Sequence, residues 1–200
     1  MPCVGSWSPA SEDPGLEVST VYEPDAATGA YSYGTHAALV EVDLQHFSVR
    51  LLDYVVVHDC GRVVNPMIVE GQLLGGVAQG IGTALYEEIP YDSYGQPQAS
   101  TLMDYLVPGA VEVPEVRMAH LEHLSPHTEY GIKGMGEGGA IAPPAAILNA
   151  INDALQSVGV SLNETPVTPR RIHAALRVNP VDDPDRIASI AGVCDEARSI

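Results

Sequence analysis

A nine-residue glycine-rich segment, residues 131–139, constrains this 200-residue chain more than any other feature. It holds five glycines together with Lys133 and Glu137. Glycine has no Cβ, so the backbone of such a loop turns freely and can lie close against another group. Pro143 and Pro144 follow, and proline suits the first turn of a helix. We therefore expect a loop that leads into a helix and presents the Glu137 carboxylate to a ligand.

The residues leave two other interpretations of the loop open. It could be a plain tight turn with a solvated glutamate, which is the usual state of that residue type. It also fits the dinucleotide pattern G-x-G-x-x-G through Gly134, Gly136 and Gly139, with Glu164 in the place of the ribose-binding acid. The two prolines argue against the dinucleotide site, because they fall where the phosphate-binding helix should already be running. Too little chain follows Glu164 to finish a doubly wound sheet.

The charge and the cysteines exclude several classes of protein. The formal net charge is −17, from 9 basic and 26 acidic residues, so the chain should not bind nucleic acid or anionic lipid. No apolar stretch is long enough to span a membrane, and the N-terminus does not resemble a signal peptide. Cys3, Cys60 and Cys194 are isolated, which predicts a reducing, cytoplasmic location and neither an iron–sulfur nor a zinc site in this chain.

Hydrophobic patterning predicts an α+β fold, a mixed β-sheet packed with two main helices. Asn65 and Pro66 are typical of a helix start, Gly159 of a helix end, and Thr168 of the N-cap of a last short helix. The predicted elements are strands at 31–42 and 47–58, a helix at 67–88, an extended segment at 98–107, a strand at 116–124 and a helix at 143–157. Residues 1–30 are predicted to be an extended arm, 31–178 the folded domain, and 179–200 a loosely held acidic tail.

The first long helix is unusually rich in glycine. Each interior glycine should cost up to about 1 kcal/mol of helix propensity, so this helix must pack very closely against something. Gln72, Gly75 and Gln79 lie on related faces at helical spacings. A glutamine there could bind a planar heterocycle, although for a glutamine taken alone the commoner role is that of a satisfied polar residue at a helix–strand interface.

Other chemically active residues give weaker signals. His58, Asp59 and Cys60 could bind a metal, but neighbouring strand residues point to opposite faces, so we expect no metal-ligating residue in this chain. The histidines at 120, 123 and 127 are expected to have surface or turn roles. Ser100 and Thr101 lack a base at a suitable spacing, which excludes serine-type nucleophilic catalysis.

Three segments together carry a resemblance to a known family. They are HDCGRVVNPM at 58–67, EGQLLGGVAQGIG at 70–82 and KGMGEGG at 133–139. In this order they resemble the C-terminal part of the molybdopterin-binding large subunit of molybdenum hydroxylases, the xanthine dehydrogenase, aldehyde oxidase and carbon monoxide dehydrogenase family. The resemblance covers residues 15–176.

The resemblance implies an enzyme, a molybdenum-dependent hydroxylase or dehydrogenase within a multi-chain complex. It would oxidise a small-molecule substrate at an aldehyde or N-heterocyclic carbon, with water as the oxygen source. Its cofactor would be molybdenum–molybdopterin, in the plain or the cytosine dinucleotide form, shared with a partner chain. Electrons would leave through an iron–sulfur subunit and a FAD subunit.

The resemblance also assigns residues. Glu137 would be the catalytic base. The cofactor would lie against Gln72, Gly75, Gly76, Lys133, Gly134 and Gly136. The family's earlier cofactor loops and substrate-pocket residues have no counterpart here, so the chain is either a naturally split subunit or a fragment, and the expected partner is the remaining part of the molybdenum subunit. The alternative is a non-catalytic remnant or assembly module that binds such a partner chain.

Overall fold

The computed structural model describes residues 3–5, 18–21 and 29–178. Near the N-terminus, strand β1 (Cys3–Gly5) pairs antiparallel with strand β2 (Val18–Thr20). The predicted tail at 179–200 and most of the predicted arm at 1–30 lie outside the described residues.

A three-stranded mixed sheet forms the framework of the domain. Strands β3 (Tyr33–Asp43) and β4 (Ser48–Asp59) are antiparallel, and β5 (Val116–Leu121) lies parallel to β4 on its other edge. The β3–β4 connection turns where Asp43 accepts hydrogen bonds from the backbone N–H groups of Gln45 and His46. The mixed sheet and the α+β fold class are confirmed.

Two long helices pack with this sheet. Helix α1 (Pro66–Leu85) begins where Asn65 Oδ1 accepts the Ile68 N–H at 3.4 Å. Helix α2 (Pro143–Leu155) packs against β3 and α1 and continues as a 3-10 turn (Gln156–Val158) to Gly159, whose φ is 70°. Helix α3 (Pro169–Val178) starts at Thr168, whose Oγ1 accepts the Arg171 N–H. All three predicted helix boundaries signalled by capping residues are confirmed.

The core lies between the sheet and the helices. Its fully buried members come from β4, α1, α2 and α3, and they include Tyr54, Val56, Leu73, Val77, Ile81, Ile147, Ile151, Leu155 and Ile172. Removing this apolar surface from water is the main driving force for joining the four elements. Helix α2 contributes Ile147, Ile151 and Leu155, which are spaced to lie on one face of the helix.

Three predicted elements differ from the structure. The segment 98–107 is not extended, because Thr101 O accepts the N–H groups of Asp104 and Tyr105 and its hydroxyl binds the Asp104 carboxylate. Such local side-chain bonds compete with an extended backbone. The strand predicted at 116–124 ends at Leu121, and helix α1 ends at Leu85 rather than at residue 88.

Candidate functional site

The glycine-rich loop is held at its start by the turn that follows β4. Lys133 N–H donates to Cys60 O at 2.8 Å, and Arg62 N–H donates to Gly131 O at 3.3 Å. A Cβ at Gly61 would lie 2.2 Å from Gly131 O, and the φ of Gly61 is 70°, so no other residue fits there. These contacts fix the loop to the sheet where β4 ends.

A buried ion pair reinforces this attachment. Lys133 Nζ lies 2.8 Å from Asp59 Oδ1, with exposed side-chain fractions of 8% and 0%. Asp59 also accepts the backbone N–H groups of Gly61 at 2.9 Å and His123 at 2.8 Å. Burial raises the pKa of Asp59, but these hydrogen bonds and the Lys133 charge outweigh it and hold the pKa at about 2. Asp59 is therefore ionised at neutral pH and anchors Lys133.

This pair bears on two sequence predictions. Lys133 is predicted to bind a cofactor, whereas the structure places its ammonium group on Asp59 and 4.7 Å from the ring centre of Tyr33. A direct cofactor contact of Lys133 stays a prediction. Among the described residues, no cluster of three or more potential ligands could hold a metal ion.

The second half of the loop lies directly on helix α1. A Cβ at Gly76 would lie 2.8 Å from backbone atoms of Gly139 and Ala140, and a Cβ at Gly80 would lie 2.7 Å from Pro143. A Cβ at Gly139 would in turn lie 2.5 Å from Leu73 O. The close packing predicted from the glycines of this helix is therefore packing against the loop itself.

Gln72 joins the helix to the centre of the loop. Its Nε2 donates to Gly136 O at 3.0 Å, across 64 residues of sequence. The Gln72 side chain is exposed, so its Oε1 and its second N–H stay accessible from the same side. The next residue, Glu137, is exposed, and its own carbonyl accepts Ala140 N–H at 2.9 Å to close a turn. The structure thus brings Gln72, Gly136 and Glu137 together.

Several glycines of the site face open space rather than the chain. A Cβ at Gly134, Gly136, Gly71 or Gly75 would meet no atom within 4 Å among the described residues. None of these four has a positive φ, so neither backbone conformation nor internal packing explains the glycine. An outer surface without side chains suits the close approach of a flat ligand or another backbone.

The open positions fall on two surfaces. Gly134 and Gly136 belong to the loop beside Gln72 and Glu137. Gly71 and Gly75 lie on a groove of about 610 Å³ beside α1, together with Leu74, Ala78, Val113 and Met118. Gly76, predicted as a cofactor residue next to Gly75, is covered by the loop instead.

The sequence analysis considers the histidine near the end of β4 only as a metal ligand and does not predict its buried position beneath the loop. His58 is 2% exposed, and neither of its ring nitrogens has a hydrogen-bond partner among the described residues. Its ring lies against Gly138, the residue after Glu137. The polar run His58-Asp59 at the end of an apolar strand is the signal that could have drawn attention to it.

The structure also argues against a dinucleotide site. A 3-10 turn (Glu129–Gly131) precedes the loop where the dinucleotide motif requires a strand, and α2 begins only at Pro143. Residues 160–164 do not form the second strand that the motif would need.

Comparison with known proteins decides the family. A family model described as the molybdopterin cofactor-binding domain matches residues 4–114. The chain belongs to this family. The large subunit of nicotine 6-hydroxylase from Paenarthrobacter nicotinovorans is 42% identical over 169 residues, which are 84% of this chain and 20% of the relative. The carbon monoxide dehydrogenase large chain of Hydrogenophaga pseudoflava is 34% identical, over 84% of this chain and 21% of the relative.

Solved structures of the family agree with the fold. Quinoline 2-oxidoreductase from Pseudomonas putida 86 is 45% identical, with a TM-score of 0.78 over 86% of this chain and 22% of that one. The Cu,Mo-CO dehydrogenase is 29% identical, with a TM-score of 0.77 over 88% of this chain. The predicted family is confirmed, and the chain spans about one fifth of the length of the curated relatives it matches.

The residues present fit one side of a molybdopterin site. The outer face of the loop is free of side chains at Gly134 and Gly136, and the exposed Gln72 amide offers a donor and an acceptor beside it. Such groups suit the planar, hydrogen-bonding edge of a pterin. Within the described part of the chain, no helix has the length and apolar character needed to cross a membrane.

Proposed function

We propose that this domain forms one wall of the cofactor site in a molybdenum-dependent hydroxylase, with Glu137 as the general base. The observation that carries the proposal is the Gln72–Gly136 hydrogen bond, which fixes the loop so that exposed Glu137 lies beside a surface free of side chains. The family membership supplies the cofactor, molybdenum–molybdopterin, in its plain or cytosine dinucleotide form.

Each residue has a defined task in this proposal. Gln72 binds the pterin with the side-chain groups that the Gly136 carbonyl leaves accessible. Gly134 and Gly136 let the cofactor approach the loop backbone. Gly75 places no side chain on the neighbouring surface of helix α1 and so leaves space there. Gly76 and Lys133 act from within the chain, Gly76 by seating the loop on α1 and Lys133 by fixing it to Asp59.

Glu137 moves a proton. When bound, the molybdenum cofactor supplies the two-electron oxidation of the substrate carbon. The Glu137 carboxylate accepts the proton of the water-derived oxygen that is transferred to that carbon. Gly136 and Gly138 flank Glu137, so the carboxylate can reach the reacting atoms without steric hindrance.

The substrate is a small molecule with an electron-poor carbon, and we favour an N-heterocycle over an aldehyde. Nicotine 6-hydroxylase and quinoline 2-oxidoreductase, at 42% and 45% identity, are named for N-heterocyclic substrates. The relatives named carbon monoxide dehydrogenase are 34% identical.

The remaining part of the molybdenum subunit is the first partner. It completes the site, because the outer face of the loop is open in this chain, and the groove at Gly71 and Gly75 is an apolar surface that it would cover. An iron–sulfur subunit and a FAD subunit then carry the electrons away. The isolated cysteines support a cytoplasmic location for the complex.

The decisive experiment compares Glu137→Gln with the unaltered protein in the purified complex. Gln keeps the size of the side chain and an acceptor oxygen but is a very weak base. We expect normal assembly and molybdenum content and a turnover lowered about 10²–10⁴-fold, measured as electron transfer from an N-heterocycle to a dye. Glu164→Gln, a change at another exposed glutamate, is the control and should leave the rate unchanged.

The same measurements address the alternative of a non-catalytic assembly module. A complex that contains this chain but neither molybdenum nor pterin would support the module. A fully loaded Glu137→Gln complex that turns over at close to the normal rate would contradict the assignment of the base.

A further inference from the structure

His58 occupies an enclosed position directly beneath the turn that carries Glu137. It lies near the end of β4, where it pairs in register with Gly34 of β3 and His120 of β5. Burial lowers the pKa of His58, and the neighbouring His120 and Lys133 lower it further against the opposing charge of Asp59. The ring is therefore neutral at neutral pH.

Two glycines make room for the ring. A Cβ at Gly34 would lie 2.9 Å from Nδ1, and a Cβ at Gly138 would lie 2.4 Å from Cε1 and 2.8 Å from Nε2. Neither glycine has a positive φ, so the space taken by the imidazole explains both of them. The ring lies between Gly34 of strand β3 on one side and Gly138, in the turn after Glu137, on the other.

The arrangement is not what stability alone would select. Both ring nitrogens are buried and lack partners among the described residues, and burying an unpaired polar group usually opposes folding. A leucine or valine would fill an enclosed site without that cost. Buried polar groups without partners call for an explanation, and functional sites are a common one.

We propose that His58 is a positioning residue: its ring is the floor on which Gly138 rests, and it thereby sets the direction of the Glu137 carboxylate. The contact on the other side of Glu137, between Gln72 and Gly136, fixes the loop from helix α1. Glu137 is thus held between two supports, one from the helix and one from the sheet. This inference rests on the proposed role of Glu137.

The test is a double-mutant cycle in the assembled complex. Gly138→Ala adds a methyl group that collides with the His58 ring, and His58→Ala removes the ring that supports Gly138. Each should lower kcat per bound molybdenum about 10²-fold, since small misplacements of a catalytic group have effects of that size, while KM and molybdenum content change little. In the double variant the added methyl enters the space that the ring has left, so kcat should recover about tenfold or more over Gly138→Ala.

Gly29→Ala is the matched control, because its added methyl group meets no atom within 4 Å among the described residues and Gly29 belongs neither to the loop nor to the groove beside α1. It should leave kcat per molybdenum unchanged. Hydrogen exchange of the amides at 136–140 gives a second readout, which should accelerate in His58→Ala and be restored in part in the double variant. If Gly138→Ala fails to assemble, recovery of assembly in the double variant reports the same contact.

The outcomes separate the two proposals. Independent effects of the two substitutions, or a His58→Ala variant with normal kcat and normal exchange at 136–140, would overturn the role of His58. If His58→Ala lowered the melting temperature but left kcat per molybdenum unchanged, His58 would have a structural role only. If Glu137→Gln were fully active, the assignment of Glu137 as the base would be wrong. Hydrogen exchange at 136–140 in the single and double variants would still show whether His58 supports the turn.

Discussion

Replacing Lys133 by methionine tests whether the loop depends on its buried ion pair. The substitution keeps most of the side-chain volume but removes the charge that faces Asp59. The carboxylate is fully buried, so water cannot replace the lost ammonium group. The N–H groups of Gly61 and His123 remain on it, with the His123 ring nitrogen 3.8 Å away. Breaking a buried pair on one side costs about 3–5 kcal/mol.

Hydrogen exchange in the assembled complex measures this cost locally. The Lys133 N–H is protected by Cys60 O, and the same substitution loosens that attachment. A loss of 3 kcal/mol or more corresponds to exchange that is about 10²-fold faster or beyond at residues 131–133, because each 1.4 kcal/mol is a factor of ten.

An exposed pair supplies the control. Arg50 and Glu41 form an ion pair whose side chains are 70% and 44% exposed. Arg50→Met should therefore cost at most about 1 kcal/mol. The double variant Lys133→Met with Asp59→Asn removes both charges and keeps an acceptor for one N–H, so it should recover much of the lost protection.

The pH dependence has a defined sign. The pKa of Asp59 is lowered to about 2 from an ordinary 3.8, so its contribution is complete above pH 3.8 and is lost as the pH falls toward 2. Without Lys133 the carboxyl is buried without its countercharge, which raises its pKa. The difference between the two proteins should then be largest at neutral pH and shrink as the pH falls. A Lys133→Met variant no less protected than Arg50→Met at neutral pH would refute the reasoning.

Three further predictions concern the surfaces around the loop. Gln72→Ala should lower the molybdenum content of the complex while the fold survives, because the pterin-facing amide is removed and the loop loses an exposed hydrogen bond worth about 0.5–1.5 kcal/mol; metal analysis against circular dichroism checks this. Gly76→Ala should destabilise the domain by about 1–3 kcal/mol, because the added methyl group would collide with the backbone of Gly139. Gly75→Ala meets no such obstacle and should stabilise helix α1 by up to about 1 kcal/mol through its higher helix propensity. Equal melting temperatures for the two variants would contradict the close packing of Gly76 against the loop. Produced without its partners, the chain should aggregate or stay partly unfolded, and a soluble monomer with a cooperative melting transition would count against the proposed assembly.

Much of the fold could be predicted because its signals are local. Asn65, Gly159 and Thr168 set helix ends through bonds to nearby backbone groups, and the structure has helix boundaries at each of them. Hydrophobic patterning indicated two of the strands for the same reason. The extended segment predicted at 98–107 was wrong, because the Thr101 hydroxyl donates to the nearby Asp104 carboxylate and stabilises a turn instead.

The amino-acid sequence by itself determined the family, the fold class and the loop that bears Glu137, since these depend on residue type, order and short spacings. The tertiary structure decided what the neighbours of that loop do. Lys133 meets Asp59 across 74 residues, and Gln72 meets Gly136 across 64. Gly76 is covered by the loop while Gly75 beside it is open, and His58 lies under Gly138. Such pairings arise only when sheet, helix and loop pack into one core, because no local rule fixes which distant atoms fill the space around a residue.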